Sequence, residues 1–149
     1  MLRARDIMTY NPISVSPETT VVEIARLMSQ YGIGSVLVVD NNGRLVGIIT
    51  SRDIVNKVVA KALDPKNVKA KDIMSSPVIF ASPNTLVKDL AKLMSKHNIH
   101  HIPIVEGRRI VGIVAEHDIL TYAPEMIEAL EILYTGERMK RSQLRSVYE

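Results

Sequence analysis

The 149-residue chain contains no cysteine. It therefore has no disulfide, no thiolate metal site and no cysteine nucleophile, which fits a reducing cytosol. Long hydrophobic runs are also missing, because no apolar stretch approaches the ~18 residues that a membrane span needs. Residues 1–6 lead into no long apolar region that would resemble a targeting segment. We therefore expect a cytoplasmic protein without a membrane anchor.

Charge of one sign is nowhere concentrated. The net charge is +3, and residues 1–63 carry seven basic and five acidic groups, residues 64–121 eight and six, and residues 122–149 four and five. No block is basic enough to predict nucleic-acid binding from charge alone. With 46% apolar and 23% charged residues, the chain has an ordinary globular composition.

The sequence also lacks the motifs of a catalytic site. It has no glycine-rich phosphate loop, and no nucleophile stands with a base and an orienting acid in a recognisable motif. Histidine is present four times, but no cysteine accompanies it, and neighbours such as His100 and His101 point to opposite sides of a strand. We expect neither an enzyme nor a metal site.

What the chain does contain is an internal repeat. Matching segments recur at offsets of 65 or 66 residues: Asp6-Ile7-Met8 with Asp72-Ile73-Met74, Ser16-Pro17 with Ser82-Pro83, Leu27-Met28 with Leu93-Met94, and Gly47 with Gly112. Such self-similarity at a nearly constant offset indicates that the chain contains two copies of one structural unit. We divide the chain into repeat 1 (residues 1–63), repeat 2 (residues 64–121, opening on a turn at 64–67) and a C-terminal segment (residues 122–149).

Each repeat shows the same succession of hydrophobic periods. A short strand precedes an amphipathic helix that Thr20 and Glu23 open with capping-box spacing and Gly32 ends. Two apolar strands follow, joined at Asn42-Gly43 by a tight turn, and Ser51 is expected to cap a second helix. The pattern is β-α-β-β-α. Its strands are apolar on both faces, so pairing of the two repeats is the economical way to bury them.

The junction between the last strand and the second helix collects polar groups. Residues 47–53 read Gly-Ile-Ile-Thr-Ser-Arg-Asp, and residues 112–118 read Gly-Ile-Val-Ala-Glu-His-Asp. A helix start offers unpaired amides, which suit an anionic or polyhydroxylated ligand. The second copy has Ala115 where the first has Thr50, so the two junctions are unequal.

In these motifs the chain resembles a tandem pair of CBS domains, the family named after cystathionine β-synthase, over about residues 4–121. The resemblance implies an α/β (α+β) fold in which two β-α-β-β-α repeats pack as a pseudo-two-fold pair, here with an added C-terminal helix. It implies a regulatory protein with two clefts that bind AMP, ADP, ATP or S-adenosylmethionine, and no obligatory cofactor. It also implies a homodimer and a regulated partner protein, which the sequence leaves unidentified.

By this resemblance, a first cleft joins the strand-to-helix junction of repeat 1 to repeat 2. Its residues are Ile48, Thr50, Arg52, Asp53, Lys71, Val78, Ile79, Ile99, His100, His101 and Ile102. Asp53 would accept both ribose hydroxyls, and Thr50 would bond ribose or phosphate. The adenine would lie between Val78, Ile79 and Ile99. Phosphate would be bound by Lys71, Arg52, His100 and His101.

A second, weaker cleft would join the other junction to repeat 1. Its residues are Arg5, Ile13, Ser14, Ile33, Gly34, Ser35, His117 and Asp118. A simpler role for Asp53 and Asp118 is also open, since a carboxylate in the first turn of a helix is stabilising by roughly 0.3–1 kcal/mol without any ligand.

The C-terminal segment lies outside the resemblance. An apolar stripe from Met126 to Tyr134 predicts a helix, and residues 137–145 carry four basic groups and one acid. An alternative function is therefore a nucleic-acid or protein interaction module that uses this tail. Helix faces left uncovered predict the homodimer interface, namely Val58, Val59, Ala62, Leu63 and the Met126–Tyr134 stripe.

Overall fold

A computed structural model describes residues 1–122. The predicted C-terminal helix, the basic tail and their role in a dimer lie outside the described residues. The elements in chain order are α1 (Ala4–Ile7), β1 (Thr9–Tyr10), β2 (Ser14–Val15), α2 (Val21–Tyr31), β3 (Ser35–Val39), β4 (Leu45–Thr50), α3 (Ser51–Ile54) with a π-helical turn (Val55–Val59), α4 (Ala70–Ile73), α5 (Val87–His97), β5 (His101–Glu106), β6 (Arg109–Ala115) and α6 (Glu116–Tyr122).

Repeat 1 forms a three-stranded sheet in the order β2-β3-β4. Strand β2 pairs parallel with β3, and β3 pairs antiparallel with β4. The parallel pair is connected through α2, as a parallel crossover requires. Gly43 has φ of 76° in the turn between β3 and β4, which is a conformation that glycine adopts without strain. The predicted β-α-β-β-α order of repeat 1 is confirmed.

Repeat 2 forms a sheet in the order β1-β6-β5. Strands β5 and β6 make the predicted hairpin, but the expected first strand of this repeat is reduced to one parallel bridge between Ala81 and Ile104. The outer strand is instead β1, which comes from the N-terminus of the chain and pairs antiparallel with β6. The two repeats are therefore linked through their sheets.

The first segment of each repeat packs in the core of the other repeat. Helix α1 contributes Ala4 and Ile7 to the core of repeat 2, and α4 contributes Ala70 and Ile73 to the core of repeat 1. Helix α1 is also hydrogen-bonded to the second repeat, since the Ala4 amide donates to the Thr85 carbonyl at 2.8 Å. The recurring Asp-Ile-Met motif is thus an exchanged segment that holds the pair together.

The same exchange of segments explains why glycine recurs at positions 47 and 112. A Cβ on Gly47 would lie 2.8 Å from the Cβ of Met74, and a Cβ on Gly112 would lie 2.6 Å from the Sδ of Met8. Contacts this short are not tolerated in packed interiors. Each glycine leaves the space in which the methionine of the other repeat's motif packs.

The helix ends follow the local sequence with one exception. Thr20 and Glu23 form the predicted capping box of α2, and Gly32 ends that helix with φ of 62°. The prediction that Ser51 caps α3 was wrong. Thr50 is the N-cap, because its hydroxyl accepts from the Asp53 amide at 3.2 Å while the Asp53 carboxylate accepts from the Thr50 amide at 2.9 Å.

The strands of the pair are buried on both faces. Val36 and Val38 of β3 lie in the core that α2 covers, so Leu37 points to the opposite face of the sheet. Leu37 is nonetheless 0% exposed. We infer that the packing of repeat 2 against repeat 1 excludes water from this second face, as expected from a strand that is apolar on both sides.

The predicted apolar stripe of the second helix is split. Val58 is fully buried, whereas Val55 is 56% and Val59 67% exposed, so Val58 does not belong to an uncovered face. The turn is π-helical, with the Ala60 amide donating to the Val55 carbonyl at 2.8 Å, and its wider spacing changes which side each residue presents. Val55, Val59 and Leu63 remain exposed.

Within residues 1–122, no helix has the length and hydrophobicity to cross a membrane.

Candidate ligand clefts at the strand-to-helix junctions

The two predicted junctions are built alike, and the strand starts to which they are hydrogen-bonded contact each other. The Ser51 amide donates to the Gly34 carbonyl at 3.0 Å in repeat 1, and the Glu116 amide donates to the His100 carbonyl at 2.9 Å in repeat 2. A Cβ on Gly34 would lie 3.5 Å from Nε2 of His101. The starts of β3 and β5 are therefore in contact, which brings residues of the two predicted clefts to one place.

Asp53 is held by three groups of its own repeat. One carboxylate oxygen accepts from the Thr50 amide at 2.9 Å and from the Thr50 hydroxyl at 3.1 Å, and the other pairs with Nζ of Lys57 at 3.1 Å. The same ammonium donates to the carbonyl of Ile73 in α4 at 2.8 Å. The simpler role of Asp53 as a helix cap is thus present. A carboxylate offers about four acceptor positions, of which three are used here. One ribose hydroxyl could therefore bind beside Lys57, whereas a ribose that presents two hydroxyls would have to displace one of these contacts.

Asp118 is held less tightly among the described residues. Its carboxylate accepts from the Ala115 amide at 2.7 Å, which reproduces the capping contact of Asp53. Ala115 has no hydroxyl to add a second bond, and the position four residues on is Tyr122 rather than lysine. His117 is exposed, and its Nε2 lies 3.3 Å from the Thr121 hydroxyl. The unequal junctions predicted from Thr50 and Ala115 are thus seen in the hydrogen bonds of the two aspartates.

The two adjacent histidines have different surroundings. His100 is exposed, and its Nδ1 lies 2.8 Å from the carboxylate of Glu116. His101 is partly buried, and its Nδ1 has no hydrogen-bond partner in residues 1–122. Burial lowers the pKa of His101, and His100 lowers it further, while Asp118 and Glu116 act in the opposite direction. His101 is therefore a neutral imidazole at pH 7, able to donate one N–H but carrying no positive charge.

The structure places the apolar residues of the first cleft in two settings. Ile48 is joined to Ser75 by two backbone hydrogen bonds of 2.9 and 3.2 Å, which brings the segment leading to Val78 and Ile79 alongside β4. Ile102, by contrast, is 0% exposed in the core of repeat 2. Its side chain stabilises that core and cannot line a cleft, which corrects the expectation for this residue.

A groove runs beside Val78 between the two hairpins. Its volume is about 850 Å³, and the residues lining it include Arg44, Val46, Pro77, Val78, Phe80, Val105, Arg108 and Ile110. Val78 and Ile79 are half-buried. Of the residues assigned to the two clefts, the lining includes Val78 alone, so this groove lies at the hairpin turns and not at the strand-to-helix junctions.

Two of the basic residues assigned to the clefts contact other groups on the surface. Nζ of Lys71 pairs with Glu18 at 2.7 Å, and Nη1 of Arg5 donates to Oδ1 of Asn84 at 2.5 Å. Arg52 is exposed.

The remaining residues of the second cleft lie partly in the core. Ile13 and Ile33 pack against the core of repeat 1, and Ser35 is buried while Ser14 is exposed. Ile99 of the first cleft packs in the same way against the core of repeat 2.

Sequence reasoning missed two residues of this centre. Lys57 stands four residues after Asp53, a spacing at which opposite charges meet on a helix, so its contact was detectable. Glu116 gave no such signal, because its approach to His100 depends on the pairing of β5 with β6.

In residues 1–122, no three His, Cys, Asp or Glu side chains are grouped so that they could hold a metal ion.

The pH dependence of stability is expected to report the burial of His101. Its pKa is lowered in the folded protein, so below the unfolded reference of about 6.5 the unfolded chain takes up a proton that the folded chain refuses. The stabilising contribution is complete above about pH 6.5 and is lost as the pH falls toward the lowered pKa. Urea unfolding between pH 5 and 8 should therefore show a shallower pH slope for His101→Gln than for wild type. The exposed His97→Gln is the control; equal slopes for wild type and His101→Gln would contradict this account.

Comparison with known proteins agrees with this architecture. The CBS domain family profile matches residues 4–60 and 70–125. Hypoxic response protein 1 of Mycobacterium tuberculosis is 32% identical over 125 residues, which is 84% of this chain and 87% of that protein. A crystal structure of Hypoxic Response Protein I with two coordinated zinc ions has a TM-score of 0.73 at 31% identity and covers 83% of this chain and 100% of that one.

Two further solved structures are similar. The CBS domain pair of protein MJ0100, in complex with 5-methylthioadenosine and S-adenosyl-L-methionine, has a TM-score of 0.74 at 36% identity and covers 80% of this chain and 98% of that one. A hexameric CBS-CP12 protein from bloom-forming cyanobacteria has a TM-score of 0.80 at 28% identity and covers 99% and 86%. With two matched repeats that exchange their first segments and pack as a pseudo-two-fold pair, the chain belongs to the CBS domain family.

Proposed function

We propose that this protein is a regulatory sensor that binds an adenosine-containing ligand between its two repeats. The observation that carries the proposal is the contact between Gly34 and His101, because it joins the two strand starts that are hydrogen-bonded to the junctions, each with an aspartate in the first turn of its helix. The similar MJ0100 pair, in complex with methylthioadenosine and S-adenosylmethionine, supports the ligand class. AMP, ADP, ATP and S-adenosylmethionine are the candidates.

In the first cleft, Asp53 and Thr50 would bind the ribose and Val78 and Ile79 would contact the adenine. Arg52, Lys71, His100 and a neutral His101 would serve as donors to phosphate, and Ile48 and Ile99 would complete the cleft. The second cleft would use Asp118, His117 and Arg5 with the start of β3, at lower affinity because Ala115 lacks the hydroxyl. The protein would act without an obligatory cofactor and without catalysis.

Lys57 would couple ligand binding at Asp53 to the way the two repeats are held together. Its ammonium joins Asp53 of repeat 1 to the Ile73 carbonyl of α4, and α4 is one of the exchanged segments that hold the repeats together. A ribose that takes the Asp53 oxygen would compete with Lys57 and loosen this link. Because a ligand shifts a conformational equilibrium only by its difference in affinity for the two states, this competition would supply the difference.

We further propose that the protein acts in the cytoplasm as a homodimer that controls a partner protein. Val55 and Val59 of the π-helical turn are 56% and 67% exposed, and Leu63, shortly after the turn, is 48% exposed. Exposed apolar residues close together in the chain favour a protein interface. The hexameric CBS-CP12 protein, similar over nearly the whole chain, supports assembly of such pairs.

A thermal-shift screen tests the proposal on the intact chain. AMP, ADP, ATP and S-adenosylmethionine are compared with GTP and with free adenine at equal ionic strength. A true ligand at 100 times its Kd stabilises the fold by about 2.7 kcal/mol. We expect at least one adenosine compound to raise the unfolding temperature while adenine does not. No shift with any of them, or an equal shift with adenine, would contradict the proposal.

A further inference from the structure

The two exchanged segments carry matching pairs of basic residues on the outside of the molecule. Arg3 and Arg5 flank the start of α1, and Lys69 and Lys71 stand at the equivalent positions of α4, 66 residues later. Each pair reaches toward the loop before the long helix of the repeat in which it packs. That loop presents Glu18 to the lysines and Asn84 to the arginines.

We call Lys69, Lys71 and Glu18 the lysine corner. Here a carboxylate of the chain itself lies between the two ammonium groups. Nζ of Lys69 lies 2.6 Å from one oxygen of Glu18, and Nζ of Lys71 lies 2.7 Å from the other. Hydrogen bonds from the two ammonium groups lower the pKa of Glu18 to about 2. The geometry of this corner is therefore one that receives an oxyanion between two cations.

The arginine corner has the same geometry but a neutral group in the middle. Nη1 of Arg3 donates to the backbone carbonyl of Asn84 at 2.6 Å, and Nη1 of Arg5 donates to its side-chain oxygen at 2.5 Å. The one carboxylate nearby, Asp6, accepts from the Arg3 amide at 2.7 Å, just as Asp72 accepts from the Lys69 amide at 2.8 Å. Formal charges thus sum to zero at the lysine corner (two cations, two acids) and to +1 at the arginine corner (two cations, one acid).

We propose that the arginine corner, formed by Arg3, Arg5 and Asn84, is a binding site for an external oxyanion of the phosphate or carboxylate class. A guanidinium has five N–H donors in a planar fork, so each arginine keeps donors for a second acceptor after bonding Asn84. Such forks fit carboxylate and phosphate oxygens, and the charged hydrogen bonds are stronger than neutral ones. The bound anion accepts from the remaining N–H groups beside Asn84, and it supplies the negative charge that the Glu18 carboxylate supplies in the other repeat. The site shares Arg5 with the proposed second cleft but uses none of the residues of the first.

The two repeats provide matched variants for the test. Asn84→Glu gives the arginine corner the carboxylate of the lysine corner, and Glu18→Asn gives the lysine corner the amide of the arginine corner. Inorganic phosphate and N-acetylglutamate amide are each titrated by amide NMR at constant ionic strength with chloride. The two probes distinguish a phosphate source from a carboxylate source.

We expect saturable shifts at residues 3–6 and 84–86 of the wild type with at least one probe. In Asn84→Glu they should weaken by about tenfold or more, because the introduced carboxylate competes with the probe for the same guanidinium donors. Glu18→Asn should add a saturable site at residues 18–20 and 69–71. Arg5→Gln is a second variant, and it should weaken binding without adding a charge. Linear shifts of equal size at both corners, or binding that is unchanged in Asn84→Glu and Arg5→Gln, would overturn the proposal.

Discussion

Alanine at position 37 is expected to lower the free energy of unfolding by about 2–5 kcal/mol, the range for a large buried aliphatic residue cut to alanine. Leu37 is 0% exposed on the face of β3 opposite the helices. The large cost would therefore measure burial between the two sheets rather than burial under a helix. Urea unfolding of wild type and Leu37→Ala gives the difference directly.

Leu2→Ala is the matched control for that prediction. Leu2 is 41% exposed, and exposed substitutions usually change stability by no more than about 0.5 kcal/mol. A cost for Leu37→Ala that is as small as this control would mean that water reaches the inner face of β3. The repeats would then not pack through their sheets.

The second large effect is expected on ligand affinity. Replacing Asp53 by alanine removes a charged acceptor for the ribose hydroxyls, a loss of about 1.5–3 kcal/mol, and should weaken the tighter binding event by about 10- to 150-fold. Asp118→Ala should leave that event largely intact. Isothermal calorimetry with the best ligand of the screen measures both.

Lys57→Met separates binding from folding in this experiment. Asp53→Ala also removes the carboxylate that accepts from the Thr50 amide in the capping box, and the loss of a hydrogen bond costs about 1 kcal/mol of stability, so titrations are made well below the unfolding temperature. Lys57→Met keeps the cap and removes the competitor for the Asp53 oxygen, and it should bind the ligand more tightly than wild type. The reverse ranking of the two aspartates would show that the clefts are assigned the wrong way round, and weaker binding by Lys57→Met would place Lys57 among the ligand donors.

Local sequence patterns predicted the elements well, because each pattern carries its own physical cause. Thr20 and Glu23 satisfy the first amides of α2, and Gly32 takes the left-handed conformation that ends it. The hairpin between β3 and β4 turns at a glycine with positive φ. These features depend on a few neighbouring residues, so the sequence alone was sufficient for them.

The exchange of segments could not be predicted in the same way. Asp6-Ile7-Met8 and Asp72-Ile73-Met74 were recognised as equivalent, but nothing local shows that Met8 packs on Gly112 and Met74 on Gly47. Identical motifs fit either repeat, and only the three-dimensional connection decides between them. For the same reason β1, a two-residue strand at the edge of the distant sheet, was not expected.

The sequence predicted on which elements the candidate residues lie, but not their contacts. Both aspartates lie in the first turn of the helix that follows the last strand of their repeat, whereas the approach of His101 to Gly34 depends on how the repeats pack. The partners Lys57 and Glu116, and the burial that keeps His101 neutral, depend on packing that one strand or helix does not determine. The difference between the corners at Glu18 and Asn84 could not be predicted either. It depends on the contacts of Lys71 with Glu18 and of Arg5 with Asn84, which form only when the exchanged segments pack on the other repeat.

The most direct test of the central claim compares the best adenosine ligand of the screen with its 2′,3′-dideoxy analogue in calorimetry on the full chain. Both compounds carry the same base and the same charge, so the difference reports the ribose hydroxyls alone. A sensor that binds ribose through Asp53 predicts binding of the natural ligand and a loss of about 10- to 150-fold for the analogue. Equal affinity of the two compounds would contradict the ribose-binding cleft.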